Sequence, residues 1–389
     1  MQKIRILTYH YLDNNGSFLQ AYAVLSLLKR LFPRDDVKIS DCRLPGLGFH
    51  ELLKIAKPRP GKPLFAYRRH RLFRECIRRE LELDRNVKSF SSCTSQMAAL
   101  DAEGIDLAVV GSDIIWSFGY RAFLPSFPNL YWLPGNTKFR KVAFAASSSG
   151  HVPRVAYAKR SEIASAVQSF DIVTVRDAGT ARLLKNCGVE KEILVMPDPT
   201  LLWDFPEVEV KVKLKNLGVD LDRPTIAVLF PGKDRRVKEI IDYFRASHHQ
   251  VIALSMYNPY ADVNLGDELT PFEWAETLRH VGFCVTDRFH GAAFCLKHGT
   301  PFIVIEHKQR AEESKRFDLV VREFGLPQCY LDLTSADYEV SVFEDKYTHV
   351  AADWTPRIRS LITERIEHIR TESTTVLQRM HDLMINRSA

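Results

Sequence analysis

An arginine and a histidine stand two positions apart in the segment Thr286-Asp287-Arg288-Phe289-His290-Gly291, directly after the apolar run Phe283-Cys284-Val285. Arginine presents a forked set of donors that fits phosphate or carboxylate, and histidine exchanges protons near neutral pH. The small residues Gly291-Ala292-Ala293 permit close approach to a ligand. Residues 283–310 therefore predict an anion-handling catalytic edge, with Arg288 and His290 as the catalytic candidates. A structural histidine is the commoner reading of a lone His, but the position at a strand end favours chemistry.

Four other segments place polar groups where strands end or helices begin. Backbone N–H groups at the Asn15-Gly16-Ser17 turn suit an anion, although a plain helix N-cap explains the same residues. The serine-rich segments after two further strands suit a substrate or a helix cap equally. Arg176 is placed to meet an anion, or to pair with Asp177. The resulting substrate-binding candidates are Asn15, Gly16, Ser17, Gly111, Ser112, Asp113, Ser147 and Arg176.

Strands alternate with helical segments along the chain. The predicted strands are 4–9, 37–40, 105–110, 141–146, 171–175, 225–232, 250–255, 283–286 and 302–305. This order predicts an α/β fold of doubly wound parallel sheets, whose ligands collect at the carboxyl ends of the strands. The pattern restarts after a boundary at 203–224. We therefore expect two Rossmann-like domains facing a cleft, as in glycosyltransferase-B-like folds.

The predicted domain limits follow from that restart. An N-terminal domain spans 1–205 and contains a basic helical insertion at about 54–100, and a C-terminal domain spans 206–350. The segment 351–389 is polar and helical, as one long helix or a broken pair, and is expected to brace the two domains. Neither the P-loop nor the dinucleotide-binding glycine pattern occurs in the sequence.

Positive charge is concentrated in one stretch. Residues 54–79 hold ten Lys or Arg and one acid, a charge of +9, so the remaining residues carry about −3 of the net +6. The stretch suits an anionic acceptor or a membrane surface, with Leu64, Phe65 and Tyr67 contributing to an apolar stripe. A solvated helix face explains it equally. No nucleic-acid recognition motif accompanies the charge, so nucleic acid is not an expected partner.

The sequence also argues against several protein classes. No run of about 18 to 20 apolar residues predicts a membrane span, and the chain enters a strand directly at its N-terminus. We therefore expect a cytoplasmic protein, at the inner face of the membrane if the basic stretch binds lipid. The seven cysteines are scattered without a CxxC spacing, and no metal-ligand cluster is predicted.

Six motifs, in order, resemble those of the polysaccharide pyruvyl transferase family. They are Asn15-Gly16-Ser17-Phe18-Leu19-Gln20, Gly111-Ser112-Asp113-Ile114-Ile115-Trp116, Ala145-Ala146-Ser147-Ser148-Ser149-Gly150, Val175-Arg176-Asp177, Asp198-Pro199-Thr200-Leu201-Leu202 and Arg288-Phe289-His290-Gly291. The resemblance implies a glycosyltransferase-B-like fold and phosphoenolpyruvate as donor. It also implies transfer of pyruvate, as a ketal, onto two hydroxyls of one sugar in an exopolysaccharide or cell-surface glycan.

The same resemblance assigns residues and partners. Arg176, Arg288 and His290 match the family's donor-binding and catalytic positions, although many members have Ser or another residue in place of Arg288. A basic residue is expected soon after the following strand, and Lys308 and Arg310 both qualify. The expected acceptor is a glycan or a lipid-linked saccharide. No cofactor is expected besides phosphoenolpyruvate as co-substrate.

Two other classes of function fit the same fold. A nucleotide-sugar-dependent glycosyltransferase would share the architecture and would release a nucleotide diphosphate. A non-catalytic glycan-binding or scaffold protein would turn over neither donor.

Overall fold

The computed structural model describes residues 1–43, 55, 58–85, 92–118, 127, 129–148, 154–232, 235–306, 315–335 and 338–385. The strands are β1 (Lys3–Leu7), β2 (Asp36–Ser40), β3 (Leu83–Asp84), β4 (Leu107–Asp113), β5 (Arg140–Ala146), β6 (Ile172–Val175), β7 (Leu194–Val195), β8 (Thr225–Leu229), β9 (Gln250–Ala253), β10 (Val263–Asn264), β11 (Phe283–Thr286), β12 (Phe302–Glu306) and β13 (Tyr330–Asp332).

The α-helices are α1 (Asn15–Leu31), α2 (Phe65–Glu80), α3 (Cys93–Glu103), α4 (Arg154–Ala158), α5 (Arg160–Gln168), α6 (Ala178–Asn186), α7 (Pro199–Leu202), α8 (Lys211–Asn216), α9 (Arg235–Ala246), α10 (Pro271–Thr277), α11 (Phe289–His298), α12 (Lys315–Phe317), α13 (Val340–Asp353) and α14 (Pro356–Ile385). A π-helical turn, Asp318–Glu323, continues α12. Single 3-10 turns lie at Leu130–Trp132 and Pro327–Cys329.

Two parallel sheets share one strand order. The first runs β3-β2-β1-β4-β5-β6-β7 and the second β10-β9-β8-β11-β12-β13, so each turns back between its first strand and its fourth. In such sheets ligands bind outside the carboxyl ends of the strands at this switch point. The predicted doubly wound α/β architecture is confirmed, and the two switch points lie at β1/β4 and β8/β11.

The sequence analysis does not predict four of the strands. They are β3, β7, β10 and β13, each two or three residues long, and each lies at the outer edge of its sheet. Edge strands are kept short in natural proteins, and so few residues carry no readable alternation. Strand β4 also extends further than predicted, because Gly111-Ser112-Asp113 continues the pairing with β5 instead of forming a loop.

Helix α1 lies at the junction of the two sheets. The Phe18 ring packs edge-on against Phe272 of α10 at 5.7 Å between centroids, and Tyr22 contacts the same ring at 5.0 Å. One continuous cluster of buried apolar side chains includes residues of both sheets, among them Ile4 and Ile226. The two halves are therefore joined by a shared core.

The C-terminal segment forms α13 and then α14, a single helix of 30 residues. Helix α14 contacts both halves: Arg365 Nε donates to Glu323 O at 3.1 Å and Arg370 Nε donates to Leu201 O at 3.2 Å. Neither α14 nor another helix in the described ranges is long and apolar enough to cross a bilayer. The domain limits predicted at 205 and 350 stay predictions.

The basic stretch contains α2, which reaches across the junction. Lys62 Nζ pairs with Asp267 Oδ1 at 3.1 Å, and the Arg69 guanidinium donates both to Asp13 O in the first half (2.9 Å) and to Gly266 O in the second. Burial lowers the pKa of Arg69 to about 10, against the raising effect of Asp13 and Asp267. Part of the positive charge therefore serves as an internal clasp.

We expect Arg69→Ala to lower the free energy of unfolding by about 2 kcal/mol or more, because it leaves carbonyls of both halves without their charged donor. Arg71→Ala on the exposed face of the same helix is the matched control and should change stability by less than about 0.5 kcal/mol. Urea unfolding of the two variants measures the difference. Equal midpoints for both would contradict the role of Arg69 as a clasp.

Candidate active site

His290 lies where the two switch points meet. It occupies the first turn of α11, immediately after β11, and is buried. Its ring packs against the first turn of α1 in the other half, at Gly16. A Cβ added to Gly16 would stand 2.1 Å from His290 Nδ1 and 2.9 Å from His290 Cβ. Only glycine permits this approach, because the neighbouring atoms include the root of the side chain as well as its tip.

Gly291 is constrained in the same way on the other side of the helix. A Cβ there would stand 2.4 Å from Thr286 Oγ1 at the end of β11. The short Thr286–Gly291 connection thus folds back on itself tightly. Because of this turn, His290 leaves the sheet edge pointing toward the opposite half.

A buried carboxylate connects His290 to Arg176. Asp198 Oδ2 lies 2.6 Å from Arg176 Nη1 and 3.4 Å from His290 Nε2. Its other oxygen, Oδ1, accepts from Thr200 N at 3.0 Å and Thr200 Oγ1 at 2.7 Å, which caps α7. Burial would raise the pKa of Asp198, but His290, Arg176 and Thr200 together hold this pKa far below the usual range. Asp198 is therefore a carboxylate anion with both oxygens engaged.

The guanidinium group of Arg176 is only partly hydrogen-bonded. Its side chain is 2 % exposed, yet Nε and Nη2 have no acceptor among the described residues. The guanidinium also lies over the Phe289 ring, 4.5 Å from its centroid. Buried unpaired donors are costly, by about 1–3 kcal/mol each, and a charged donor pair is best satisfied by an anion.

Arg176, Asp198 and Phe289 line a cleft of about 440 Å³, whereas His290 lies beside Asp198 and is not among the lining residues. The walls of the cleft come from the ends of β6 and β7, the start of α11, the π-helical turn and α14. The lining residues that matter most are Arg176, Asp198, Phe289, Arg322 and Arg365. Arg322 is paired with Asp318 and Arg365 with Glu323, so Arg176 offers the unpaired cationic donors on this wall.

Arg288 points elsewhere. Its Nε lies 2.8 Å from Asp287 Oδ1, its Nη2 lies 2.7 Å from Met256 Sδ, and its side chain is 41 % exposed. Arg288 is not among the residues that line the cleft at Arg176. Lys308 and Arg310 lie outside the described residues.

The predicted binding turn at the start of α1 has its amides occupied. The helix begins at Asn15, and Asn14 rather than Ser17 is the N-cap. The Asn14 side chain accepts from Gly16 N at 2.9 Å and from Ser17 N at 3.4 Å. The predicted anion cradle therefore lacks these two donors, and Gly16 instead makes room for His290. The Oδ1 atom of Asn15 is buried without a donor from the described residues.

The Gly111-Ser112-Asp113 segment supports that helix start from β4. Ser17 Oγ donates to Asp113 Oδ2 at 2.7 Å, inside the protein. Gly111 has φ +124° and a Cβ there would stand 2.1 Å from Phe144 O, so this position requires glycine. Ser112 is fully buried. These residues hold the backbone of the β1/β4 switch point together.

Ser147 is likewise engaged inside the protein. It is fully buried, and its Oγ donates to Asp177 Oδ2 at 2.6 Å. Asp177 in turn caps α6 through Thr180 N and Oγ1. Of the two interpretations given to this serine, support of a helix cap describes its contacts. The Arg176–Asp177 pair predicted as an alternative is not formed, because Arg176 pairs with Asp198.

The sequence singled out the Asp198-Pro199-Thr200 motif but assigned it no role. An Asp followed by Pro and a helical turn is a readable N-cap. Its pairing with Arg176, 22 positions earlier, and with His290 follows from the packing of the two sheets. The spacing of residues along the sequence therefore does not predict this pairing.

A profile of the polysaccharide pyruvyl transferase family matches residues 14–309, about three quarters of the chain. The chain belongs to this family. The match supports the pyruvylation of a polysaccharide and hence a glycan acceptor. No curated protein sequence matches this chain significantly.

Solved structures with the same fold are distant in sequence. Sucrose-phosphate synthase from Thermosynechococcus elongatus is 12% identical with a TM-score of 0.55, covering 99% of each chain. Spinosyn forosaminyltransferase is 13% identical with a TM-score of 0.53, covering 98% of the present chain and 99% of its own. A UDP-GlcNAc 2-epimerase from Neisseria meningitidis is 10% identical with a TM-score of 0.51, covering 98% and 99%. These likenesses confirm the glycosyltransferase-B-like fold.

We expect Gly16→Ala to destabilise the protein by about 1–3 kcal/mol, because the added methyl group collides with His290. The sign is informative, since Gly to Ala within a helix otherwise stabilises by up to about 1 kcal/mol. Gly282→Ala is the control, because its Cβ would lie at an ordinary 3.5 Å from Thr225 O. Urea unfolding is the measurement, and a Gly16→Ala protein as stable as wild type would show that the halves do not meet at this position.

Proposed function

We propose that the protein transfers the enolpyruvyl group of phosphoenolpyruvate onto two hydroxyls of one sugar in a glycan, forming a pyruvate ketal and releasing phosphate. The observation that carries the proposal is Arg176, a cleft-lining residue whose Nε and Nη2 are buried without an acceptor among the described residues, while Nη1 is fixed by Asp198. Phosphoenolpyruvate is small and carries both a phosphate and a carboxylate. Family membership supports the same reaction class.

The proposed reaction balances without an oxidant or reductant. Protonation of the methylene carbon gives an oxocarbenium-like centre at the neighbouring carbon, which the first sugar hydroxyl attacks. The bond from that carbon to the phosphate oxygen then breaks, and the second hydroxyl closes the ketal. The two sugar hydroxyls lose two protons. One restores the group that protonated the methylene carbon, and the other leaves with phosphate. We propose phosphoenolpyruvate as co-substrate and no further cofactor.

His290 is the proposed proton donor, or the base that activates a hydroxyl, because it lies beside the carboxylate that also binds Arg176. Arg176 would hold one anionic group of the donor in a fixed orientation. Arg288, together with Lys308 or Arg310, is proposed to neutralise the other. Asn15, Gly16, Ser17, Gly111, Ser112, Asp113 and Ser147 would act by shaping the wall from which the sugar approaches.

The first test separates chemistry from binding. His290→Ala is expected to lower kcat for phosphate release by about 100-fold to 10,000-fold, the usual range for a positioned acid or base. Arg176→Ala should chiefly raise the KM for phosphoenolpyruvate. His368→Ala, an exposed histidine on α14, is the control and should leave both constants unchanged. A folded His290→Ala enzyme with near-normal kcat would remove His290 from the mechanism.

A sugar nucleotide is the competing donor, since the fold is shared with nucleotide-sugar enzymes. Incubation with a panel of glycan acceptors distinguishes the two donors directly. Free phosphate from phosphoenolpyruvate, with an acceptor product carrying the mass of a pyruvate ketal, supports the proposal. Release of a nucleotide diphosphate would replace it with glycosyl transfer, and no turnover of either donor would favour a glycan-binding protein.

We further propose that the acceptor is lipid-linked and that α2 contacts the inner face of the membrane. The inward groups of this helix are already occupied, as Arg69 illustrates. Its outward face carries Leu64 and Tyr67, 54% and 46% exposed, followed by the exposed side chains of Arg71, Arg78 and Arg79. Apolar side chains beside several arginines suit an anionic lipid surface.

The start of α2 lies near the second switch point. Phe65 of α2 packs against Tyr257 at 5.7 Å between ring centroids, and Met256, the residue before Tyr257, contacts Arg288. We therefore propose that a lipid-linked saccharide reaches the site from the side of Arg288.

Sedimentation with vesicles tests the membrane contact. Wild-type protein should bind phosphatidylcholine vesicles that contain phosphatidylglycerol, more weakly as salt rises, and should not bind phosphatidylcholine alone. A triple variant with Arg71→Glu, Arg78→Glu and Arg79→Glu should bind the phosphatidylglycerol vesicles more weakly, by about 100-fold or more. Each arginine near an anionic surface contributes about 1 kcal/mol of binding free energy. Arg235→Glu on α9, whose side chain is 91% exposed, is the control. Equal recovery with both vesicle types would exclude an electrostatic membrane contact.

A further inference from the structure

Asp198 is the one acidic side chain in the described residues that contacts both Arg176 and His290. Its position is fixed more firmly than that of either partner. The backbone at Asp198 begins α7, with Pro199 in the first turn, and the carboxylate binds Thr200 N and Oγ1 through Oδ1. Only Oδ2 is left for Arg176 and His290.

Helix α7 is itself tied to the helix that carries His290. Near the C-terminal end of α11, Lys297 donates to Thr200 O at 2.9 Å and also to Trp203 O. Burial lowers the pKa of Lys297 to about 8, against the raising effect of Asp204. The two helices are therefore joined at both ends, and the separation between Asp198 and His290 is set by the backbone.

The ring of His290 has little freedom to turn away. On one side its Nδ1 edge meets the first turn of α1 at Gly16, and on the other its Nε2 faces Asp198 Oδ2 at 3.4 Å. A carboxylate anion opposite Nε2 favours a proton on that nitrogen, and such contacts often shorten when a substrate binds.

We propose that Asp198 is a positioning residue, which keeps a proton on His290 Nε2 and so leaves Nδ1 as the nitrogen that exchanges protons with a reactant. Nδ1 lies on the Gly16 side of the ring, toward the first half, whereas Nε2 is buried opposite Asp198. The same carboxylate holds Arg176 by Nη1 and leaves its Nε and Nη2 without an acceptor among the described residues. The assignment of a reactant rests on the proposed function, whereas the placement of the proton does not.

Two readouts test the inference independently. The first needs no substrate: two-bond ¹H–¹⁵N spectra of protein labelled at histidine, recorded where the ring is neutral, report which nitrogen is protonated. The His290 signals are assigned by their loss in His290→Gln. The inference expects Nε2–H in wild type and loss of this preference in Asp198→Asn. Wild-type His290 protonated at Nδ1 instead would overturn the inference, whatever the enzyme's activity.

The second readout is kinetic. Asp198→Asn should lower kcat for phosphate release by about 100-fold or more without raising the KM for phosphoenolpyruvate, because Arg176 keeps its charge. Asp171→Asn is the control: this carboxylate pairs with Arg140 at 2.9 Å and accepts from Lys141 N, at the other end of β6. It should leave kcat and the His290 signals unchanged.

Folding is checked by circular dichroism before either comparison. If Asp198→Asn is not folded, Asp198→Ser is measured in the same way, because serine caps a helix as well as aspartate does and carries no charge. A folded, neutral variant with wild-type kcat and wild-type His290 signals would reduce Asp198 to a helix cap. If phosphoenolpyruvate is not a substrate at all, the proposed function fails and the tautomer measurement still decides the inference.

Discussion

The candidate active site depends on one steric constraint, the approach of α1 to the imidazole of His290. Each half of the molecule turns its switch point toward the other, and the first turn of α1 arrives where α11 begins. At this point there is no room even for a methyl group on Gly16. The packing of Phe18 and Tyr22 on Phe272 farther along α1 sets the same separation. The geometry of the site is therefore a property of the junction, and neither half contains it alone.

Charge in the described part of the protein is largely organised by pairing, and Arg176 is one of the exceptions. Arg69 of α2 lies among acceptors from both halves. Arg176 differs, because a buried cation with one carboxylate partner and two unpaired donors is higher in free energy than a saturated one, by about 1–3 kcal/mol for each donor. An anion that binds there recovers this energy. The overall charge of +6 gives no hint of this distinction, since most of the concentrated charge lies elsewhere.

Much of the fold was predictable from local pattern. Long apolar strands followed by polar turns predicted two doubly wound sheets. The strands that this pattern predicted are those in the interior of each sheet. The four missed strands are edge strands too short to show alternation. At the site, Arg176 and His290 were found from their positions after β6 and β11. Asp198 was not given a role, because the distance from its carboxylate to those residues depends on the packing of separate elements.

The local pattern left two interpretations open at particular residues. For the Asn15-Gly16-Ser17 turn an anion cradle and a helix N-cap fit equally, and in the structure Asn14 accepts from the amides while Gly16 contacts a residue 274 positions later. For Ser147 a substrate contact and support of a helix cap fit equally, and the partner of its hydroxyl is Asp177. In both places the residue type indicated a polar or close contact, but the sequence did not indicate the partner. The partner is the group that the fold brings nearest, and this depends on tertiary packing.

The two arginines predicted to bind the donor have different physical surroundings. Arg176 is fixed by Asp198 and by the Phe289 ring, so its side chain has little conformational freedom left to lose when an anion binds. Arg288 is 41 % exposed and paired with Asp287, so binding an anion there requires a change of partner and the ordering of a long side chain. An exposed, already paired arginine contributes less to affinity than a buried and unpaired one. Of the two arginines, Arg176, which follows β6 in the half opposite to His290, therefore has the surroundings better suited to a bound anion.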